Sequence, residues 1–362
     1  MKLHLIFIGN KFVYNKSLRE YILRKIEQKT DFIDSITYFK EGDNSMFLSL
    51  EEELNSYDNL IMVTTKQNFS TIGKLICTAT SDNQILQDGM LLPQKCSIFE
   101  DRSYLLEYKN SVTNVIQMDE GQDMPSVLLQ NKTSRDTIHV FEESRDTIIA
   151  ILNPIAQTYD VSINVVQEIE GWQQINISSN RYGDISNFIN SAKQLLPQQL
   201  ITGSNIAEYI IQRLSAVQKK VTFAESCSGG LLSYYFTKNN GASNILNGSL
   251  VTYSNELKEN WLAVGHDTLE KHGAVSEEVV SEMSDGALDV SGADYAISIS
   301  GIAGDTGGTK YKPVGTVYIG VRSKNANIEE RIHFNGDRNY VQYQSVLYAV
   351  KMLLLIDKDV FF

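Results

Sequence analysis

Ser226 lies where a short apolar segment gives way to a helical pattern. Residues 221–230 read Val-Thr-Phe-Ala-Glu-Ser-Cys-Ser-Gly-Gly, and the helical pattern begins near Leu231. A strand-to-helix turn delivers a side chain to the carboxyl end of a sheet, and the free N–H groups of the new helix can hold an oxyanion or a phosphate. The pattern indicates a nucleophile or an anion site. An N-cap serine, whose hydroxyl satisfies a backbone N–H group, is an equally good interpretation of this decapeptide alone.

A second turn of the same kind contains Lys258. The segment Leu-Val-Thr-Tyr-Ser-Asn-Glu-Leu-Lys ends at this residue, and we expect a strand from Ser249 to Tyr253 followed by a helix. Two such turns on neighbouring strands would face each other. A partly desolvated lysine amine loses its proton more easily, so it can replace histidine as the base for a serine hydroxyl. The sequence thus predicts a Ser226/Lys258 dyad, and a solvated helix lysine is the alternative that spacing leaves open.

Cys227 offers a rival nucleophile, because a thiol at a helix N-terminus beside a base ionises readily. A cysteine in such a turn is more commonly a small buried hydrophobic residue. Cys77 and Cys96 lie far away in the sequence and form no CxxC pair, so no disulfide framework is predicted.

The C-terminal part of the chain resembles the C-terminal domain of the CinA family, the competence/damage-inducible proteins. This domain also occurs alone as the nicotinamide mononucleotide (NMN) deamidase PncC. The resemblance covers roughly residues 204–362. It rests on six ordered blocks: Ala224-Glu-Ser-Cys-Ser-Gly-Gly230, Val251-Thr-Tyr-Ser-Asn-Glu256 with Lys258, His272-Gly-Ala-Val-Ser276, Ser298-Ile-Ser-Gly-Ile-Ala-Gly304, Lys312-Pro-Val-Gly-Thr316 and Gly336-Asp-Arg338.

The resemblance implies hydrolysis of the NMN carboxamide to nicotinate mononucleotide and ammonia. Ser226 would be the nucleophile and Lys258 its base, without a cofactor or a metal. An amide is a poor electrophile with a poor leaving group, so the reaction also needs a proton donor and an oxyanion hole. The resemblance extends to the substrate-binding positions, which are Tyr253, Arg338, Ser228, Gly229 and Gly230.

Two segments depart mildly from the family pattern. The family commonly has threonine where this chain has Ser228, and Asp305-Thr-Gly-Gly308 differs from the usual Pro-Asp/Asn-Gly-Gly. Both serine and threonine carry a hydroxyl, so the first change preserves the chemistry. The Gly-rich segment is also consistent with a plain turn after a buried strand.

The N-terminal part, residues 1–130, resembles the MoaB/MogA-like domain of CinA proteins in a degenerate form. Apolar strands at 3–8, 35–39 and 59–65 with a helix near 17–28 predict a parallel α/β layer. The family's Gly-rich loop after the third strand is replaced here by Thr64-Thr-Lys-Gln-Asn-Phe-Ser-Thr71. Glycine permits close approach of backbone N–H groups to a phosphate, so we expect its loss to weaken ligand binding. The acidic stretch 119–123 is predicted to be a solvated loop.

A small α+β domain is expected at residues 133–198, with the order β-α-β-β-α. Pro197–Gly203 is the predicted linker to the C-terminal domain at 204–362. For that domain we expect an α/β fold with a mixed sheet packed by helices. The predicted helices are 205–217, 229–237, 255–262, 276–290 and 337–356, and the predicted strands are 220–225, 248–253, 294–300, 314–321 and 328–334. Ser276 is predicted as an N-cap, and Lys312-Pro313 as the start of a strand.

Composition supports a cytoplasmic enzyme. The formal net charge of −12 argues against direct nucleic-acid binding, and no apolar run reaches transmembrane length, so no membrane partner is expected. The histidines lack metal-ligand spacing. We expect NMN as a small-molecule partner and a homo-oligomer. The alternative is a non-catalytic interaction protein associated with competence or DNA damage, which would not require Ser226, Lys258, Tyr253 and Arg338 to converge on one pocket.

Overall fold

A computed structural model describes residues 3–30, 33–129, 135–180, 182–304 and 306–362. The chain divides into two compact units, Met1–Thr133 and Ser134–Phe362. Both contain helices and sheets, and the α/β class is confirmed. The finer division into three domains stays a prediction. No helix within the described residues is long and apolar enough to cross a membrane.

The N-terminal unit is built around one large sheet. Its strands are β1 (Leu3–Ile8), β2 (Ser35–Phe39), β3 (Asn59–Thr64), β4 (Gln84–Gln87), β5 (Met90–Pro93), β6 (Cys96–Glu100), β7 (Ser103–Tyr108) and β8 (Ser111–Gln117). Its helices are α1 (Asn10–Tyr14), α2 (Lys16–Glu27), α3 (Met46–Ser56) and α4 (Lys66–Thr80).

Six of these strands form the large sheet, with the order β2-β1-β3-β8-β7-β6, and β4 and β5 pair with each other in a separate two-stranded sheet. Strand β1 is a continuous apolar run whose residues are all buried, because it pairs in parallel with β2 on one side and β3 on the other. The predicted strands β1, β2 and β3 are therefore parallel, as expected. Strand β8 is parallel to β3, whereas β7 and β6 continue the sheet in antiparallel fashion. The likeness to the MoaB/MogA domain stays a prediction.

The acidic stretch after β8 is a loop, but it is not merely solvated. The Lys11 ammonium lies 2.6 Å from Asp119 and 2.8 Å from Glu120. The N–H group of Lys66, at the start of α4, also donates to Asp119. This loop is held at the carboxyl edge of the sheet by ion pairs, which the sequence pattern did not predict.

The C-terminal unit begins with a small antiparallel sheet. Its strands are β9 (Arg135–Phe141), β10 (Val161–Ile169), β11 (Trp172–Ser179) and β12 (Leu200–Thr202), in the order β10-β11-β9-β12, with helices α5 (Arg145–Thr158) and α6 (Ile185–Leu195). The predicted linker is wrong in its second half, because Leu200, Ile201 and Thr202 pair with β9. Leu200 and Ile201 are buried there, so an apolar pair completes the sheet instead of spanning a loop.

The larger sheet of this unit carries the candidate site. Its strands are β13 (Val221–Glu225), β14 (Leu246–Val251), β15 (Tyr295–Gly301), β16 (Thr316–Ser323) and β17 (Asn327–His333), in the order β14-β13-β15-β16-β17. Strands β14, β13 and β15 are parallel, and β16 and β17 are antiparallel, which confirms the predicted mixed sheet.

Helices cover both faces of this sheet. They are α7 (Ile206–Ala216), α8 (Leu231–Thr237), α9 (Asn255–Leu262), α10 (His266–His272), α11 (Glu277–Ser291), α12 (Arg338–Ile356) and α13 (Lys358–Phe361). One apolar core lies between the sheet and α7, α8 and α12, and a second lies between the sheet and α9, α10 and α11. Ser276 is confirmed as the N-cap of α11, since its hydroxyl accepts from the Val279 N–H group.

Three element predictions need correction. Strand β14 ends at Val251, two residues before the predicted end, and strand β16 begins at Thr316 rather than at Lys312-Pro313. Helix α10 was not predicted, because its seven residues contain a single buried apolar side chain, Leu269. The early end of β14 affects the site directly, because it frees the next two carbonyl groups from the sheet.

Candidate active site

Ser226 follows the last residue of β13, at the carboxyl edge of the parallel strands. Its N–H group donates to the Ile299 carbonyl of the neighbouring strand β15, and its side chain is buried. The chain then turns through Gly229 and Gly230, whose φ angles of 62° and 98° are left-handed. Glycine adopts such angles without steric cost, so the turn can be tight enough to start α8 at once. Ser226 is thereby held at the sheet edge and not at the N-cap position, which Gly230 occupies.

Lys258 reaches Ser226 from the middle of α9. Its Nζ atom lies 3.2 Å from the Ser226 Oγ atom, 2.7 Å from the Thr252 carbonyl oxygen and 3.4 Å from the Tyr253 carbonyl oxygen. These are the two carbonyl groups that the early end of β14 frees. A neutral amine has two N–H bonds and one lone pair. If the carbonyls accept the two N–H bonds, the lone pair remains for the serine proton.

Burial favours the neutral form of this amine. Lys258 is 1% exposed, and removal from water lowers the pKa of its amine below the ordinary value of 10.5. No carboxylate forms an ion pair with Lys258 among the described residues, so nothing there restores the charged form by direct pairing. The amine is suited to the role of a general base.

Cys227 lies beside Ser226 but is poorly suited to attack. Burial, with a smaller contribution from the nearby Glu225 charge, raises the pKa of the thiol to about 12. The thiolate is the reactive form of cysteine, so this thiol is inert at neutral pH. The geometry favours serine over the rival cysteine nucleophile.

The buried carboxylate of Glu225 is hydrogen-bonded to the residues of the 226–230 turn and of the helix that follows it. It accepts from the Ser228 and Ser249 hydroxyl groups and from three N–H groups at the start of α8, those of Gly230, Leu232 and Ser233. These N–H groups are consequently not free for a substrate. The N–H group of Gly229 is also used, because it donates to the Ser226 carbonyl.

The N–H groups of Cys227 and Ser228 remain. Neither donates a hydrogen bond to any residue that the structure describes. They are therefore the candidates for an oxyanion hole.

Ser226, Lys258, Tyr253 and Arg338 line one cleft of about 260 Å³. Tyr253 is accessible to solvent, with 63% of its surface exposed. Arg338 is the first residue of α12, and its guanidinium has no hydrogen-bond or ion-pair partner among the described residues. Gly304 lies against this guanidinium, since a Cβ atom there would sit 1.9 Å from Nη2. An unpaired guanidinium with planar N–H donors is suited to a phosphate or a carboxylate.

The structure does not bring every predicted site residue to the cleft. Ser228, Gly229 and Gly230 are not among the described residues that line it. Ser228 and Gly230 donate to Glu225, and Gly229 shapes the turn. Direct substrate binding by these three residues stays a prediction. Of their N–H groups, that of Ser228 remains free to bind a substrate. Asp305 lies outside the described residues.

Two contributors were missed by the sequence reasoning. Glu225 directly precedes the candidate nucleophile and stands six residues before the first residue of α8, a spacing that allows a carboxylate to reach the first N–H groups of that helix. Gln342 donates to the Cys227 carbonyl at 2.7 Å and ties α12 to the turn. Nothing in the sequence around Gln342 signals this long-range bond. Within the described residues, no group of three or more His, Cys, Asp or Glu side chains could hold a metal ion.

Comparison with known proteins places the site in a family. The family model of the CinA C-terminal domain matches residues 203–356. A CinA-like protein of Thermotoga maritima is 44% identical over 153 residues, which are 42% of this chain and 37% of that protein. A CinA-like protein of Prochlorococcus marinus (strain MIT 9515) is 34% identical over 227 residues, 59% of this chain and 51% of that protein. The chain thus spans about half, or less, of the length of these curated relatives.

Among solved structures, the competence/damage inducible protein CihA from Agrobacterium tumefaciens is 34% identical. The match covers 42% of this chain and 95% of that chain, with a TM-score of 0.41. The family model and the identity to these curated relatives show that residues 203–356 belong to the CinA C-terminal domain family.

Proposed function

We propose that the C-terminal domain is an amidohydrolase that converts NMN to nicotinate mononucleotide and ammonia, as in pyridine nucleotide salvage. One observation carries the proposal. A buried lysine amine, unpaired with any carboxylate among the described residues, lies 3.2 Å from a serine hydroxyl in a cleft. This is the nucleophile and base arrangement that amide hydrolysis requires.

In the first half of the reaction, the Ser226 Oγ atom attacks the carboxamide carbon while its proton passes to the Lys258 Nζ atom. The N–H groups of Cys227 and Ser228 stabilise the oxyanion of the tetrahedral intermediate. Lys258 then returns the proton to the amide nitrogen, the C–N bond breaks, and ammonia leaves. The product of this half is an ester between Ser226 and the nicotinoyl group.

In the second half, water attacks the ester carbon and gives one proton to Lys258. The second tetrahedral intermediate collapses with cleavage of the bond between the carbon and the Ser226 Oγ atom, and Lys258 reprotonates the serine. The acid formed loses the second proton of the water to solvent, and nicotinate mononucleotide leaves as a carboxylate. The same amine serves as base and acid in each half, which explains why one titratable side chain beside the serine suffices.

Two cleft residues provide the binding groups for a nucleotide. The Arg338 guanidinium pairs with the phosphate through parallel N–H donors. The exposed Tyr253 side chain lines the cleft, where the face of its ring can attract the positively charged pyridinium ring of NMN. The expected substrate therefore combines a cationic ring, a carboxamide and a phosphate.

The test is ammonia release from NMN by the purified chain, beside Ser226→Ala and Lys258→Ala. Both substitutions are expected to lower the rate by about 1,000-fold or more, as is typical for a nucleophile and base that act as a unit. Ser215→Ala and Lys324→Ala are matched controls, because the Ser215 hydroxyl lacks a described partner and Lys324 pairs only at the surface with Asp294. No release by the parent, or equal release by all four variants, would overturn the proposal.

A further inference from the structure

The Glu225 carboxylate is fully buried and lies one residue before the proposed nucleophile. Its Oε2 atom accepts from the Ser228 hydroxyl at 2.8 Å, the Gly230 N–H group at 3.0 Å and the Leu232 N–H group at 3.1 Å. Its Oε1 atom accepts from the Ser233 N–H group at 2.9 Å and the Ser249 hydroxyl at 3.1 Å. Both oxygens are fully used by neutral donors.

Burial of an anion without a cation is costly, and here no lysine or arginine forms an ion pair with Glu225 in the described part of the chain. The compensation comes from the N-terminal end of α8, where N–H groups and the helix dipole favour negative charge. A carboxylate suits this position because it only accepts hydrogen bonds and all the polar groups bonded to it donate them. An amide of the same size would turn an NH₂ group toward N–H donors and lose part of the network.

The network connects three segments around Ser226. The carboxylate belongs to the end of β13, the N–H donors to the start of α8, and Ser249 to the neighbouring strand β14. Between them lies the turn with the left-handed residues Gly229 and Gly230. Glycines allow this turn to form but do not restrict it to one conformation. The hydrogen bonds of the Glu225 carboxylate restrict the turn to the observed conformation.

The network also decides which N–H groups are available. Because Glu225 occupies those of Gly230, Leu232 and Ser233, an oxyanion must use those of Cys227 and Ser228. These belong to the two residues directly after the nucleophile, so a shift of the turn would move the oxyanion donors and the Ser226 Oγ atom together.

We infer that Glu225 is a positioning residue of the proposed reaction, which holds the 226–230 turn so that Ser226 meets Lys258 and the Cys227 and Ser228 N–H groups stay free. The inference rests on the proposed function. It assigns to Glu225 no contact with the substrate, since Glu225 is not among the described residues that line the cleft.

The first experiment compares Glu225→Gln with the parent on NMN. We expect kcat to fall about 100-fold, the loss typical of a displacement of about 1 Å in a reacting group, with KM changed by less than about threefold. The pH dependence of kcat/KM should keep its midpoint, because the base is still Lys258. A purely structural role would lower the melting temperature and leave the kcat of the folded molecules unchanged.

Glu282→Gln is the matched control. The Glu282 carboxylate also accepts from a backbone N–H group and a hydroxyl, those of Gly265 and Thr268, both at 2.8 Å, but it lies outside the cleft. We expect it to lower the melting temperature without changing kcat. Ser249→Ala and Ser249→Thr extend the series, because alanine removes one donor to Glu225 and threonine keeps the hydroxyl. The kcat of the alanine variant should fall by about fivefold and that of the threonine variant by less.

A second readout separates this inference from the proposed function. A fluorophosphonate probe modifies an activated serine without any amide substrate, and mass spectrometry locates the modified residue. If the parent is labelled at Ser226 but does not release ammonia from NMN, the proposed function fails, and slower labelling of Glu225→Gln still supports the positioning role.

Three outcomes would overturn the inference. The first is a Glu225→Gln variant with kcat within about threefold of the parent. The second is equal labelling of Ser226 in both proteins. The third is a parent in which Ser226 neither reacts with the probe nor hydrolyses NMN, because Glu225 would then have no nucleophile to position. If Glu225→Gln does not fold, the two Ser249 variants decide the question by the same measurements.

Discussion

Lysines at the carboxyl edges of the two large sheets have opposite surroundings. Lys11, after β1, lies 2.6 Å from Asp119 and 2.8 Å from Glu120. Burial lowers the pKa of Lys11, but the hydrogen bonds and charges of these carboxylates outweigh burial, and the net pKa is raised. Lys258 meets a serine hydroxyl and two carbonyls, and burial lowers its pKa. The partner groups, and not the position on the fold, separate a structural cation from a candidate base.

The two units also differ in how the helices at the carboxyl edges of their large sheets are used. In both units a carboxylate of the chain itself bonds to N–H groups at a helix start, Asp119 at α4 and Glu225 at α8. In the N-terminal unit the same carboxylate also neutralises Lys11, so the polar groups of that edge satisfy one another. In the C-terminal unit Glu225 leaves Lys258 and Arg338 unpaired among the described residues. An amine free to accept a proton and a guanidinium free to bind an anion suit the amide and the phosphate of the proposed substrate.

The largest expected effect on the rate comes from exchanging Lys258 for arginine, with the same exchange at Lys11 as the comparison. Lys258→Arg should lower the rate of ammonia release by about 1,000-fold, because a guanidinium does not lose a proton at neutral pH and so cannot act as the base. Lys11→Arg should leave the rate within about twofold of the parent, because both carboxylates accept equally well from a guanidinium. The rates are measured on NMN with the fold checked by circular dichroism. Equal losses in the two variants would contradict the distinction between the two lysines.

The next largest effect concerns the Arg338 guanidinium, which has no partner among the described residues. Arg338→Ala should raise KM for NMN by about 10- to 100-fold, since a hydrogen bond to a charged group contributes about 1.5–3 kcal/mol. KM for nicotinamide riboside, which lacks the phosphate, should be unchanged. Gly304→Ala should cause a smaller rise, because its Cβ atom would displace the guanidinium. In the Arg338→Ala background the same glycine substitution should add nothing, and an additive effect would show that Gly304 acts independently of Arg338.

The pH dependence of activity sharpens the comparison further. The base must be neutral, so kcat/KM for NMN should rise by about tenfold per pH unit on the acidic side and level off at the pKa of Lys258. That midpoint should lie below 10.5, because burial lowers this pKa. The profile is measured with the parent and with Lys11→Met, which should have the same midpoint. A midpoint at or above 10.5 would mean that Lys258 is solvated or ion-paired in solution.

The smallest effect is expected in the N-terminal unit. Asp119→Ala should lower the local free energy of unfolding by about 1 kcal/mol, the range of a partly exposed ion pair, and leave ammonia release unchanged. Both tryptophans, Trp172 and Trp261, belong to the C-terminal unit, so their fluorescence does not report on this loss. Hydrogen exchange of the amides in β1 and α4 is the suitable measurement. Glu120→Ala, at a more exposed partner of Lys11, should have a smaller effect.

Local patterns in the sequence predicted most of the elements around the site. Apolar runs identified β1 and β13, and the small residues after Ala224 predicted the turn that presents Ser226. The elements that were missed or misplaced are those with weak local signals. Helix α10 buries one apolar side chain, and beyond the end of β14 the Thr252 and Tyr253 carbonyls accept hydrogen bonds from Lys258 in place of a neighbouring strand.

The sequence by itself determined the residue types of the candidate site and the sheet edge on which they lie. A serine and a lysine that each follow a strand of one parallel layer must come to the same edge, because parallel strands share their carboxyl ends. Only the tertiary structure decided how each side chain is paired. Three features of the described residues depend on long-range packing. They are the burial of Lys258 without a carboxylate partner, the capture of the α8 N–H groups by Glu225 and the lack of a partner for the Arg338 guanidinium. Hydrogen bonding and desolvation act between atoms that are close in space, and residues 225, 258 and 338 are far apart along the chain.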